Sequence, residues 1–293
     1  MSGQDQSMRG KVCIVTGGTS GIGEVSARGL AQRGATVVVV GRNPERSART
    51  VDRIKEQTGS PSVEFLLADL SSQTDIRRLV QQFESRYQRL DVLVNNAGAL
   101  FFRRQLSADG IEMTFAVNYL APFLLTNLLL DRLRASAPSR IINVSSDAHR
   151  RAKIDFDNLQ GERSYGGFRA YGQAKLALTL FTYELSRRLK GTGVTVNALH
   201  PGFVASRFGL NNPWPVRLVW RILTRFAISP EQGAGTSIYL ATSPQEEGAT
   251  GGYYDKTRPV HSSAASYDLD AARKLWDLSA EMSGISQGVE QVA

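Results

Sequence analysis

The chain offers little from which to build a disulfide, a metal centre or a membrane span. Cys13 is its only cysteine, which excludes an intrachain disulfide and agrees with a reducing compartment. The apolar setting KVCIV (11–15) points to a buried, inert thiol. His149, His200 and His261 are far apart and lack the closely spaced Cys or His companions of a zinc site, so no metal is expected. No apolar run reaches the ~18 residues of a spanning helix; the richest, AVNYLAPFLLTNLLL (116–130), is broken by Asn118, Pro122, Thr126 and Asn127. The opening MSGQDQSMRG is polar, without the apolar centre of a secretory signal, and a cytoplasmic location is expected. The 35 Lys and Arg against 27 Asp and Glu leave a net charge of +8. These basic residues are scattered among acids without a block of about five like charges, so no nucleic-acid partner is expected. Neither an internal repeat nor a Pro/Ser/Gly-rich linker divides the chain, which reads as one domain over 10–282 with a short tail, 283–293.

What the sequence does have is alternation. Short apolar runs, KVCIV (11–15), TVVVV (36–40), SVEFLL (62–67), DVLV (91–94), RIINVS (140–145) and VTVNAL (194–199), are separated by amphipathic stretches such as GEVSARGLAQRG (23–34) and TDIRRLVQQFESRY (74–87). The intervening stretches are long enough for crossover helices, and near-continuous apolar strands suit a sheet covered on both faces. The expected class is α/β, a doubly wound parallel sheet of Rossmann type.

The first strand runs into TGGTSGIG (16–23) and then into a helix. Gly17, Gly21 and Gly23 follow a G-x3-G-x-G spacing rather than the G-x-G-x-x-G fingerprint. The physical use is similar: a tight turn brings backbone N–H groups and a helix N-terminus up to a pyrophosphate. Thr19, Ser20 and Ile22 fall within that cradle. At the end of the second strand, where an NAD site places a carboxylate, stand Gly41 and then Arg42 and Asn43. A guanidinium meets a 2′-phosphate with a planar fork of donors that a carboxylate would repel, so NADP(H) is expected over NAD(H). The competing reading makes Arg42 one more solvated arginine.

Tyr171 and Lys175 of RAYGQAK (169–175) are four positions apart, on one face if the segment is helical. Alone they could be an ordinary surface pair. Together with TGGTSGIG, NNAG (95–98), NVSS (143–146) and HPGFVAS (200–206), in this order and at strand ends, they resemble the short-chain dehydrogenase/reductase family over nearly the whole chain. NVSSDAH, NLQGERSYGGFRAYGQAKLALTLFTYELSRRLKGTGVTV and YDLDAARKLWDLS are similar to its retinol dehydrogenase-like branch.

That resemblance implies a catalytic set of Asn118, Ser146, Tyr171 and Lys175. Tyr171 would deliver the proton that a new alkoxide needs, Lys175 would acidify the phenol and hold the nicotinamide ribose, and Ser146 would steady the substrate oxygen. Ser145 is the alternative to Ser146. By the same resemblance Asp69 and Leu70 would contact the adenine, and Asn96, Ala97 and Gly98 would line the back of the groove. Pro201, Gly202 and Val204 would lie against the nicotinamide, with Ser206 where the family often has Thr. Asp69 could instead cap the following turn. The implied activity is NADPH-dependent hydride transfer to or from the carbonyl or alcohol group of a lipophilic aldehyde, ketone or alcohol; the alternative is an NADP(H)-binding sensor or scaffold. Family members often pair through the helices at 118–136 and 169–190, so the resemblance allows a homodimer or homotetramer, with a monomer as the alternative.

Residues 203–230 are expected to cover the substrate. If 216–226 is helical, Arg217, Arg221 and Arg225 form a basic stripe opposite an apolar face, which suits either a lid packed on its own domain or peripheral contact with an anionic membrane. Phe101 and Phe102 could wall an apolar pocket or be plain core.

Overall fold

The computed structural model describes residues 5–204 and 227–285. Strands β1 (Val12–Thr16), β2 (Thr36–Gly41), β3 (Val63–Leu67), β4 (Val92–Asn95), β5 (Ser139–Val144), β6 (Val194–His200), β7 (Tyr253–Asp255) and β8 (Arg258–Pro259) form one sheet in the order β3-β2-β1-β4-β5-β6-β7-β8. All neighbours are parallel except β7 and β8. The six expected strands are present within a residue or so of their forecast bounds. β7 and β8 were not foreseen, being too short for a periodic signal.

Alternation along the strands explains the layering. Val12 and Ile14 of β1 join one apolar cluster, while Cys13 and Val15 join the other, because successive strand side chains point to opposite faces. On one face lie α1 (Gly21–Ala31) and α2 (Pro44–Thr58), with α8 (Pro230–Thr242) beside them, supplying residues such as Leu30, Ile54 and Leu240. The other face is covered by α3 (Gln73–Arg86), by α4 (Met113–Phe115) running through a π-helical turn (Ala116–Leu120) into α5 (Ala121–Leu128) and α6 (Leu130–Ala135), and by α7 (Gly167–Arg188). Asn43 caps α2, its side chain accepting from the Arg46 N–H, with Pro44 next and Gly59 in the left-handed region at the far end.

A final helix, α9 (Leu269–Ser283), lies on α7. Trp276 packs 5.1 Å from the Phe123 ring and 5.7 Å from Phe181, with the Arg188 guanidinium 4.1 Å over its face. Tyr119 and Ser279 share a hydrogen bond of 2.7 Å. The chain itself therefore covers Phe123 and Phe181. Ser283, assigned to the tail on sequence, is the buried last residue of this helix.

No helix among the described residues is long and apolar enough to cross a membrane. Ser206 and the 216–226 stripe lie outside the described residues, as do 286–293.

Candidate active site

Outward from β1 and β4 the chain winds in opposite senses, which leaves a crevice at the carboxyl ends of the strands. That crevice is a cleft of about 660 Å³, and its walls gather nearly every residue that the sequence motifs singled out.

The glycine turn forms one wall. Gly17 has φ +63° and Gly21 φ +56°, both in the region that favours glycine. A Cβ on Gly23 would lie 2.5 Å from the Gly17 carbonyl oxygen and closer still to Asn96 Nδ2. Ser20 sits at the N-cap of α1 without using its side chain as a cap, so the first N–H groups of the helix lack that side-chain partner. Donors, helix end and bare glycines together fit a pyrophosphate. Gly17, Thr19, Ser20, Ile22 and Gly23 line the cleft, whereas Gly21 shapes the turn without facing it.

At the outer end, a Cβ on Gly41 would lie 2.6 Å from Thr19 Cγ2 and 2.7 Å from Ser47 Oγ. A side chain at this position would have to displace Thr19 or Ser47. Arg42 and Asn43 line the cleft, and so does Arg46, which sequence reasoning missed although it recurs four residues after Arg42 at the start of α2. Asp69 and Leu70 are also on the wall. Asp69 in addition accepts hydrogen bonds from the Ser71 N–H (2.9 Å) and hydroxyl (2.7 Å), which is the turn-capping role. Behind the turn, Asn96 Nδ2 donates to the Thr16 carbonyl at 2.8 Å, and Thr16 Oγ1 accepts from the Asn96 and Ala97 N–H groups.

The inner end collects the candidate catalytic groups. Tyr171 and Lys175 are one turn apart on α7. Ser146 lines the cleft with them, near enough to the phenol to favour its ionised form, and its Oγ accepts from the Ala148 N–H at 3.2 Å. Ser145 is turned to other work: its hydroxyl donates to the Lys175 carbonyl (3.1 Å) and meets Thr179 Oγ1 (3.1 Å). Lys175, 3% exposed, donates to the Val144 carbonyl at 2.8 Å, with its Nζ 5.7 Å from the centre of the Tyr171 ring. Asn118 is fully buried in the π-helical turn, a kind of helical irregularity common at functional sites. Its Nδ2 donates to the carbonyls of Ala99 and Thr114 (2.7 Å each), and its Oδ1 accepts from the Ala99 N–H. It stands behind Gly98 rather than in the cleft wall; a Cβ on Gly98 would touch Asn118 Oδ1 at 3.0 Å and approach Lys175 Nζ to 3.6 Å.

The electrostatics depart from the expectation that Lys175 acidifies the phenol. Burial pushes Tyr171 up to about 12, with the Ser146 hydroxyl opposing the rise, and burial brings Lys175 down to about 7. Desolvation disfavours the charged form of both groups. Pro201, Gly202 and Val204 line the same cleft, with Pro201 and Val204 beside Gly233 and Ile22. Phe101, Phe168 and Phe203 line the cleft with Met113 and Val117. Phe102 instead packs edge-on against Phe168 at 5.2 Å. Phe168 is 64% exposed, and its place on the wall follows from Gly167, where a Cβ would lie 2.6 Å from the Phe101 carbonyl oxygen. No spacing in the sequence announces that contact.

A family model of short chain dehydrogenases matches residues 11–212. The chain belongs to that family. Human retinol dehydrogenase 11 is 42% identical over 276 residues, covering 94% of this chain and 86% of the relative. Human polyprenol dehydrogenase is 41% identical over 282 residues, with the same shares covered. The chain is thus a short-chain dehydrogenase of the retinol dehydrogenase-like branch, a hydride-transfer oxidoreductase of alcohol and carbonyl groups that uses a nicotinamide cofactor. Among solved structures, an uncharacterized protein from Mycobacterium paratuberculosis superposes with a TM-score of 0.77 at 30% identity, covering 94% of each chain. The RhlG/NADP complex of Pseudomonas aeruginosa gives 0.67 at 29% identity, covering 89% of this chain and 99% of that one.

Proposed function

We propose that this short-chain dehydrogenase is NADP(H)-dependent and interconverts the carbonyl and alcohol groups of lipophilic small molecules. One observation carries the reading: a single cleft runs from the guanidiniums of Arg42 and Arg46 to the Tyr171 phenol and Ser146 hydroxyl beside the buried Lys175 amine. The apolar lining at Phe101, Phe168 and Phe203 suits a lipophilic substrate. The names of the retinol and polyprenol dehydrogenase relatives point the same way.

When bound, the dinucleotide supplies or accepts the hydride. The chain would hold its pyrophosphate at the α1 N-terminus, its 2′-phosphate at Arg42 and Arg46, and its nicotinamide against Pro201, Gly202 and Val204. Tyr171, with its pKa pushed up to about 12, is a neutral phenol at physiological pH, able to donate its proton to a carbonyl oxygen as negative charge develops there. Ser146 hydrogen-bonds the same oxygen and orients it toward the phenol. Lys175, brought down to about 7, exchanges a proton readily at neutral pH and would hold the nicotinamide ribose of a bound dinucleotide. Asn118 holds the backbone behind Gly98 against that amine. A protein that merely sensed NADP(H) would have no use for a proton donor at the inner end of the cleft.

The test is loss of NADPH absorbance with a panel of long-chain aldehydes and ketones, set against NADH, for the wild type and Arg42→Asp. The reading expects turnover that favours NADPH and a preference that collapses or inverts in the variant. An unchanged NADPH to NADH ratio refutes the cofactor assignment, and no turnover with any carbonyl refutes the activity.

A further inference from the structure

His149 is a fully buried titratable side chain close to the reacting groups that the chemistry above does not use. It sits in the 3-10 turn Asp147–Arg151, which starts directly after Ser146. Its Nδ1 lies 2.7 Å from the Ser146 carbonyl oxygen, and its Nε2 lies 3.1 Å from the Ser263 backbone nitrogen. Since a carbonyl only accepts and a backbone N–H only donates, the two contacts fix one tautomer: neutral, with the proton on Nδ1. Burial acts in the same sense by lowering the imidazole pKa. The Tyr253 ring of β7 packs 4.8 Å from the imidazole, so the ring plane is held from the side as well.

The far end of this link is also anchored. Ser262, beside Ser263, shares a 2.6 Å hydrogen bond with the Tyr183 hydroxyl. Tyr183 belongs to α7, the helix that carries Tyr171 and Lys175. Arg150 donates to the His261 carbonyl at 3.1 Å, a second tie between the same turn and the same segment. Ser146 and Tyr171 approach the cleft from different elements, and their separation is not set by either element alone. The segment 261–263 bridges those elements, with His149 and Arg150 as its contacts on the serine side.

We propose that His149 is a positioning residue for the hydride-transfer reaction: its imidazole clamps the Ser146 peptide to the segment at Ser263 and so holds the Ser146 hydroxyl in register with the Tyr171 phenol. The inference rests on the proposed role of Ser146 and Tyr171. The carbonyl that His149 grips is that of Ser146 itself, and the Ser146 Oγ is held by the Ala148 N–H inside the same turn. Freeing the turn therefore lets the hydroxyl wander by fractions of an ångström, enough to cost much of the rate while leaving the dinucleotide cradle intact.

The experiment compares His149→Asn, which keeps a donor near the Nδ1 position, His149→Gln, which keeps an acceptor near Nε2, and His149→Phe, which keeps neither. Each is measured for NADPH dissociation constant by fluorescence, kcat and KM for carbonyl reduction, and melting temperature. The expected result is a kcat about 10-fold lower for His149→Phe with NADPH affinity unchanged, and recovery to within about threefold of wild type for His149→Asn. His149→Gln should recover melting temperature better than it recovers kcat. Wild-type kcat in all three variants, or kcat falling in step with melting temperature across the series, overturns the proposal. If His149→Phe fails to fold, the Asn against Gln comparison still decides. Absence of turnover in the wild type would instead strike the activity itself.

Discussion

Replacing Lys175 by Met should make the protein more stable and less active. In the folded chain burial brings this amine from 10.5 to about 7, whereas in the unfolded chain it titrates near its ordinary value. From about pH 10 down to about pH 7 the unfolded chain therefore takes up a proton that the folded chain does not, and folding stability falls across that window. At pH 7 the penalty is on the order of 4 kcal/mol. Methionine has a similar shape and no charge, so the penalty disappears. The substitution also orphans the Val144 carbonyl, which Lys175 now satisfies at 2.8 Å, a loss of about 1–3 kcal/mol. The net expectation is a gain of about 1–3 kcal/mol at pH 7, or several degrees in melting temperature. Urea unfolding of the cofactor-free wild type and variant at pH 7 and pH 10 reads it directly, and the gain should shrink at the higher pH. A variant that is less stable at pH 7, or a difference that does not change with pH, refutes the reasoning.

Other expectations follow from the cleft and its supports. Gly23→Ala places a methyl group against the Gly17 carbonyl, so NADPH affinity should fall at least about 10-fold by fluorescence titration while the melting temperature drops by only a few degrees. Arg46→Ala should raise the KM for NADPH several-fold and leave that for NADH nearly unchanged, as measured by initial rates. Trp276→Ala should cost about 3–5 kcal/mol in urea unfolding, because the ring fills the space between Phe123, Phe181 and Arg188. The same variant in sedimentation velocity asks whether the α9-covered face associates once loosened. Phe168→Ser should raise KM for long-chain aldehydes more than for short ones, since this exposed ring lines the cleft.

The sheet was legible because each strand is a short, almost uninterrupted apolar run between glycines and polar turns, and that pattern arises only when both faces are covered. β7 escaped notice because three residues carry no period, and it is defined by pairing with β6 rather than by its own composition. The dinucleotide cradle was legible because the bare glycines are a chemical requirement, not a statistical habit: Gly23 has the Gly17 backbone where a side chain would go. Arg46 was missed because its relevance depends on the cap at Asn43 that starts α2 and turns this residue toward the cleft. The two adjacent serines differ in partners that no spacing conveys: Ser145 Oγ bonds Lys175 and Thr179 of α7, and Ser146 Oγ accepts from the Ala148 N–H. The protonation of Tyr171 and Lys175 depends on how deeply the fold buries them, which four-residue spacing cannot convey. His149 looked like an isolated histidine because its partners, Tyr253 and Ser263, come from the far end of the chain.

The central claim is that the Tyr171 phenol donates the proton when a carbonyl is reduced. Its most direct test is kcat for NADPH-dependent carbonyl reduction by Tyr171→Phe beside the wild type, with the NADPH dissociation constant measured on both. The account predicts a loss of about 10²–10⁴-fold in kcat at unchanged NADPH affinity. Equal rates in the two proteins would contradict it.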